Sequence, residues 1–131
     1  LLESGNGYYL QGYKNDDVLN GVSAIDLIHL QKHLLGISPF TMLHQYIAAD
    51  VNHSGAVNVL DLVLIQKLLL GSITSFPGNT SWRFGYLPQD MSGLDMSAFK
   101  EVYNIEYLDK DPHLVNFVGI KIGDLNGDAK L

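Results

Sequence analysis

Cysteine is absent from the 131 residues, so neither disulfides nor thiolate chemistry contribute to fold or function. Positive charge is scarce. Eight lysines and arginines stand against fourteen aspartates and glutamates, and the resulting formal net charge of −6 argues against a nucleic-acid partner. No apolar run approaches the roughly 20 residues that cross a bilayer, which argues against membrane insertion. Catalytic signatures are missing too: there is no nucleophile elbow, no H-E-x-x-H and no phosphate-binding glycine loop, and Asp16 and Asp17 are adjacent rather than opposed across a cleft. The chain therefore reads as a non-catalytic module. It begins at Leu1 without methionine or a signal-like segment and is expected to be a piece of a larger protein. Its 47% apolar content suffices for one modest core.

What is present is a set of oxygen-bearing side chains at regular spacing. Between Asp50 and Asp61, the residues Asp50, Asn52, Ser54, Asn58 and Asp61 occupy positions 1, 3, 5, 9 and 12 of a twelve-residue loop. Ca²⁺ takes six to eight hard oxygen ligands at about 2.3–2.6 Å, and such a loop wraps one ion only if it turns sharply in its middle. Gly55 at position 6 supplies the turn, because a residue without Cβ enters left-handed backbone space. The Ala56 carbonyl then points inward as a further ligand. Asp61 is one methylene shorter than the glutamate that usually ends an EF-hand loop, so the following helix must approach the metal more closely. That helix, Leu60 to Leu70, is capped by Asn58 and closed by Gly71. The alternative is an Asx-rich turn without metal; the helix and the repetition described next argue against it.

A shift of thirty-five residues lays Asn15–Gly36 over Asp50–Gly71 and aligns Asp26, Leu27, Gln31, Lys32, Leu34, Leu35 and Gly36 with identical residues. The first loop is a degraded copy. Asn15, Asp17, Ser23 and Asp26 keep oxygens at positions 1, 3, 9 and 12, but Leu19 at position 5 offers only its carbonyl. Asn20 replaces the glycine at position 6, and Gly21 follows at position 7. A third fragment, Asp124, Asn126 and Asp128, has the D-x-N-x-D opening of a calcium loop with no helix after it. Either it completes coordination around Asp17 and Asp26, or it begins a further repeat. One to three calcium ions are thus expected.

These residues resemble the type I dockerin family, whose tandem segments each carry a D-x-N-x-D-G loop followed by a helix ending in L-L-G. The phrases Val18–Ser23, Ile47–Asp50, Asn79–Phe84 and Val118–Asp124 are similar to the dockerin-like module of large secreted bacterial surface proteins. The resemblance implies a mainly α fold with short β-strands, in which tandem EF-hand-like calcium loop-helix repeats carry a small C-terminal β extension. It divides the chain into a β segment or edge strand over 1–14, the tandem repeat over 15–75, and an extension with short strands and a third half-loop over 76–131. It further implies an extracellular or cell-surface location, with neighbouring domains of the same protein or another extracellular protein as partners. In dockerins a cohesin is bound through loop positions 10 and 11 and along the helices. Here those positions are Ala24-Ile25 and Val59-Leu60, not the small hydroxyl pair common in cohesin binders. The expected function is a calcium-stabilised structural and interaction module. Alternatives are a true dockerin that anchors an enzyme to a cohesin, and a carbohydrate-binding module centred on Trp82.

Elsewhere the signals are local. Ser4–Gly7 reads as a hairpin turn into an aromatic strand, Tyr8–Tyr13, whose partner is missing or supplied by a preceding domain. Thr41–Ala48 reads as a short helix or turn, Trp82–Tyr86 and Asn116–Ile122 as short strands that can pair, and Ala98–Tyr103 as a short helix. His29 and His33 stand one helical turn apart, but two ligands without a third make no metal site, so packing or surface roles are expected. Asn79-Thr80-Ser81 matches a glycosylation acceptor that a bacterial protein leaves unused. A lone tryptophan in a strand, Trp82, is expected in the core.

Overall fold

The structure is a computed structural model and describes residues 8–105 and 116–130. Three helices and four short strands make a mixed architecture. Helix α1 spans Ala24–Leu34 and helix α3 spans Val59–Leu69, each opening on a capping box. Ser23 Oγ accepts the Ile25 amide while Asp26 returns a bond to the Ser23 amide; Asn58 and Asp61 repeat the device. Lys67 stands in the last turn of α3, where a cation suits the helix dipole. Leu64, Ile65 and Leu68 recur at helical spacing on the inner face of α3.

Between them, α2 spans Leu43–Ala49 and feeds directly into the Asp50 loop. Its first turn is closed by Gln45, whose Oε1 accepts the amides of Thr41 and Met42. Leu43, Ile47, Ala48 and Ala49 are buried, and they join Leu30, Val51, Ile65, Leu68, Phe76, Ile122 and Leu125 in one core. His33 packs as expected: its ring stacks on Phe40 at 3.8 Å, and Nδ1 accepts the Phe40 amide at 2.9 Å.

Strand β2, Trp82–Leu87, pairs antiparallel with β4, Asn116–Lys121, and the register sets Phe84 opposite Gly119. The pairing anticipated for these segments is therefore present. The other edge of β2 is also covered, since the Trp82 amide donates to Lys14 and the Tyr86 amide to Lys100. Trp82 is buried, stacked at 6.1 Å on Phe84, so it presents no open face to a sugar. Arg83 is nearly buried and forms a two-pronged pair with Glu101, at 2.9 and 3.0 Å.

Two expectations need correction. Strand β1, Tyr8–Leu10, is shorter than the aromatic run and does not lack a partner: it pairs antiparallel with β3, Tyr103–Ile105. Extended chain after Phe99 thus replaces the helix expected over Ala98–Tyr103, and only one 3-10 turn, Met96–Ala98, precedes it. The branched Val102 and Ile105 and the aromatic Tyr103 suit that strand better than a helix. The hairpin turn expected at Ser4–Gly7 lies outside the described residues. Among the described residues no helix is long and apolar enough to cross a membrane.

Candidate metal centres

The Asp50 loop is built around two buried carboxylates. Asp50 accepts the amide of Ser54 on Oδ1 and that of Gly55 on Oδ2, both at 2.9 Å, which folds the first half of the loop over its own first residue. Gly55 has φ +85°, the left-handed conformation the turn requires. From the far end, Asp61 reaches back: Oδ1 accepts the Val51 amide at 3.0 Å and Oδ2 accepts the Asn58 amide at 2.9 Å. Ser54 Oγ lies 3.1 Å from the Ala56 carbonyl oxygen. Asn79 braces the loop from outside, its Nδ2 donating to the carbonyls of Asp50 and Val51, each at 3.2 Å. That engagement removes Asn79 from consideration as a glycan acceptor.

Burial pushes the Asp61 carboxyl above its ordinary value, and the Asp50 charge adds to that, against the hydrogen bonds from Asn58, Asn52 and Val51. Asn52 Oδ1, at loop position 3, is a buried acceptor with no hydrogen-bond partner. A buried oxygen left without a donor calls for an explanation, and a cation in the loop would provide one. Among the described residues no three His, Cys, Asp or Glu side chains converge tightly enough to hold a metal by themselves. The donors here are two carboxylates with amide, hydroxyl and carbonyl oxygens, an all-oxygen set of the kind that suits Ca²⁺ rather than zinc.

The same framework occurs a second time, made from the two ends of the chain. Asp26 is fully buried; its Oδ2 accepts the Ser23 amide at 2.8 Å, and its Oδ1 accepts the amide of Leu125 at 2.7 Å. Leu125 follows Asp124 as Val51 follows Asp50. Asp124 in turn accepts the amide of Asp128 on Oδ1 at 3.2 Å and that of Ala129 on Oδ2 at 2.8 Å, reproducing Asp50 with Ser54 and Gly55. Burial raises the Asp124 carboxyl, as do the Asp128 side chain and the nearby Asp26 charge, while the backbone amides of Ala129 and Asp128 oppose the shift. The ends meet where Asn20 and Lys130 exchange side-chain and backbone hydrogen bonds. Gly21 lies so close to Ala129 that an added Cβ would stand 2.6 Å from the Ala129 methyl.

The structure thus brings Ser23, Asp26, Asp124, Asn126 and Asp128 together, with Gly21 at the junction. Asn15, Asp17 and Leu19 make hydrogen bonds outside this framework. Asn15 Oδ1 accepts the Ser81 amide at 2.9 Å, and the carbonyls of Asp17 and Leu19 accept the amides of Asn20 and Val22 within a turn. The Leu19 side chain is exposed, and Asp17 and Leu19 line a cleft with Leu68, Gly71 and Ile73. Repeat alignment placed these three in a loop by analogy with Asp50, Asn52 and Ser54. Asp124–Ala129, read from sequence either as completing coordination around Asp17 and Asp26 or as beginning a further repeat, matches that half-loop in its hydrogen bonds, glycine at Gly127 aside.

Two residues that sequence reasoning passed over hold the ends in place. Gly123 donates its amide to the Ala48 carbonyl at 2.8 Å, tying the C-terminal half-loop to the residue two before Asp50. Lys121 is buried, and its Nζ donates to the carbonyls of Val18 and Ile122. Burial pushes its pKa down to about 8, opposed by the charges of Asp124, Asp17 and Asp26. The only signal for it was a lysine inside an otherwise apolar strand.

Residues 15–70 match the type I dockerin domain family, somewhat less than half of the chain. No curated protein and no solved structure matches it.

Proposed function

From the type I dockerin match over residues 15–70, we propose that the chain is a calcium-stabilised structural and interaction module of a multidomain secreted or cell-surface protein. Dockerins are non-catalytic and act by holding partners, and the donor sets here fit that role. Bound calcium would supply positive charge that neutralises buried carboxylates and fixes the loop oxygens in place. In one centre Asp50, Asn52, Ser54, Asn58, Asp61 and the Ala56 carbonyl would hold the ion. In the other, Asp124, Asn126 and Asp128 would supply the first half of the loop, and Ser23 and Asp26 the second. The observation that carries this reading is the recurrence of one hydrogen-bond framework, around Asp50 and Asp61 and again around Asp124 and Asp26.

On this reading 15–75 is the calcium-bearing repeat, and 76–131 is an extension whose last residues complete it. Residues at loop positions 10 and 11 are available to a partner. Ile25, Val59 and Leu60 are all exposed, as are Ile28, Leu35 and Leu70 along the same helices. This apolar face suits a neighbouring domain or another extracellular protein. Cohesin is the partner implied by the family, and binding to one would make the chain a true dockerin.

Because the ligands come from loops that the unfolded chain does not preform, binding free energy becomes folding free energy. Free calcium about 100-fold above Kd should stabilise the chain by roughly 2.7 kcal/mol per site. Thermal melts in calcium and in excess EGTA test this. Coincident curves would remove the calcium reading, whereas a pull-down with cohesins separates the two choices of partner.

A further inference from the structure

Lys121 is a buried lysine beside the split centre. It stands three residues before Asp124, and the residue three before Asp50 is Ile47, fully buried in the core. The match is one of offset alone, since Ile47 lies in helix α2 and Lys121 ends strand β4.

The ammonium sits at the seam between the two chain ends. Its Nζ donates to the Val18 carbonyl on the N-terminal side and to the Ile122 carbonyl, at 3.0 Å, just before the half-loop. Asp124, whose amide donates to the Lys121 carbonyl at 3.2 Å, lies nearest in the chain, and the charges of Asp124, Asp17 and Asp26 all act on the ammonium. Asp26 and Asp124 are themselves buried. Without a compensating cation, bringing these carboxylates together in a medium of reduced dielectric would repel the ends from one another. At the same offset from Asp50 stands the uncharged Ile47.

We propose that Lys121 is a resident cation of the split centre: it holds the two chain ends together before metal arrives and makes that centre the weaker of the two calcium sites. The inference rests on the split-centre reading given above. Calcium then fills the Asp50 loop first, and the clasp between the ends tightens only at higher calcium. The physical basis is simple. A fixed positive charge that attracts the same carboxylates as the ion also repels the ion, whereas an isoleucine does neither.

Calcium titration followed by native mass spectrometry and calorimetry tests this on the full chain, with Asp61→Asn identifying the step that belongs to the Asp50 loop. Lys121→Ile removes the charge with a β-branched residue suited to a strand, and Lys121→Met removes it while keeping the length of the side chain. Two ions in two separated steps are expected for the parent chain. In either folded variant the weaker step should tighten roughly tenfold while the stronger is unchanged, and the melting temperature in EGTA should fall. An unchanged or weakened second step in both variants overturns the role of Lys121 but leaves the split centre standing. A single bound ion in the parent chain removes the split centre and the proposal with it.

Discussion

Asp26 and Leu125 lie 99 positions apart, yet the Asp26 carboxylate accepts the Leu125 amide at 2.7 Å, with both residues buried. The bond has a counterpart within a single loop, where Asp61 accepts the Val51 amide at 3.0 Å across ten residues. One interaction therefore closes a local turn in the second repeat and closes nearly the whole chain in the first. Ordering the ends in this way opposes a loop-closure entropy that grows only slowly with length.

Asp26→Ala should accordingly destabilise the chain severely even in EGTA. The substitution leaves the amides of Ser23, Leu125 and Asn126 without their acceptor. With each buried unsatisfied group costing about 1–3 kcal/mol, a loss of roughly 3 kcal/mol or more is expected. Urea denaturation measures it; a loss under about 1 kcal/mol would mean that the ends are not docked in solution.

The ligands of the Asp50 loop should rank by charge. Asp50→Ala and Asp61→Ala each remove an anionic oxygen donor and should weaken calcium binding at that loop severely, while Ser54→Ala removes one neutral hydroxyl and should do less. Calorimetric titration of the three variants checks the order. Equal small effects would contradict the loop assignment.

Arg83 and Glu101 should behave as a partly buried pair whose halves cannot be lost singly. Arg83 is nearly buried, its guanidinium 5.8 Å from the centre of the Phe99 ring, and both prongs reach Glu101. Glu101→Ala would leave that guanidinium unpaired, at a cost of about 2–3 kcal/mol once partial solvent access to Glu101 is allowed for. Denaturant melts of Glu101→Ala against the double variant Arg83→Met/Glu101→Ala test it. The double variant is expected to recover part of the loss.

Acidification should cost stability through His33. Burial lowers its imidazole below the ordinary 6.5, and Nδ1 is committed as acceptor to the Phe40 amide. Between its folded value and 6.5 the unfolded chain binds more protons than the folded one. Stability is therefore lost as pH falls through that window and restored as pH rises. His33→Asn retains an acceptor and removes the titration. Melting temperatures of the two proteins between pH 5 and 8 should converge at low pH, and parallel curves would contradict this assignment.

Much of the local structure was legible because it rests on periodicity and capping. Asn58 with Asp61 announced a helix start that the structure places within one residue of expectation. The β2–β4 pairing was likewise visible in two branched and aromatic runs. Long-range arrangement was not. Nothing within Tyr8–Leu10 says that Tyr103–Ile105 will lie beside it, because strands this short carry no register signal of their own. The first loop was misleading for a related reason. Asn15, Asp17 and Leu19 align with the second repeat by position, while Asp124–Ala129 matches it by chemistry; spacing left open whether the latter completes the first loop or begins a further repeat, and the fold brings it to Asp26.

The central claim is that calcium is held at two places, one of them assembled from both ends of the chain. Native mass spectrometry of the full chain and of the Asp124→Ala/Asp128→Ala variant, each in excess calcium, tests it most directly. The account predicts two ions in the parent chain and one in the variant, with the Asp50 loop still loaded. The same number of ions in both would contradict it.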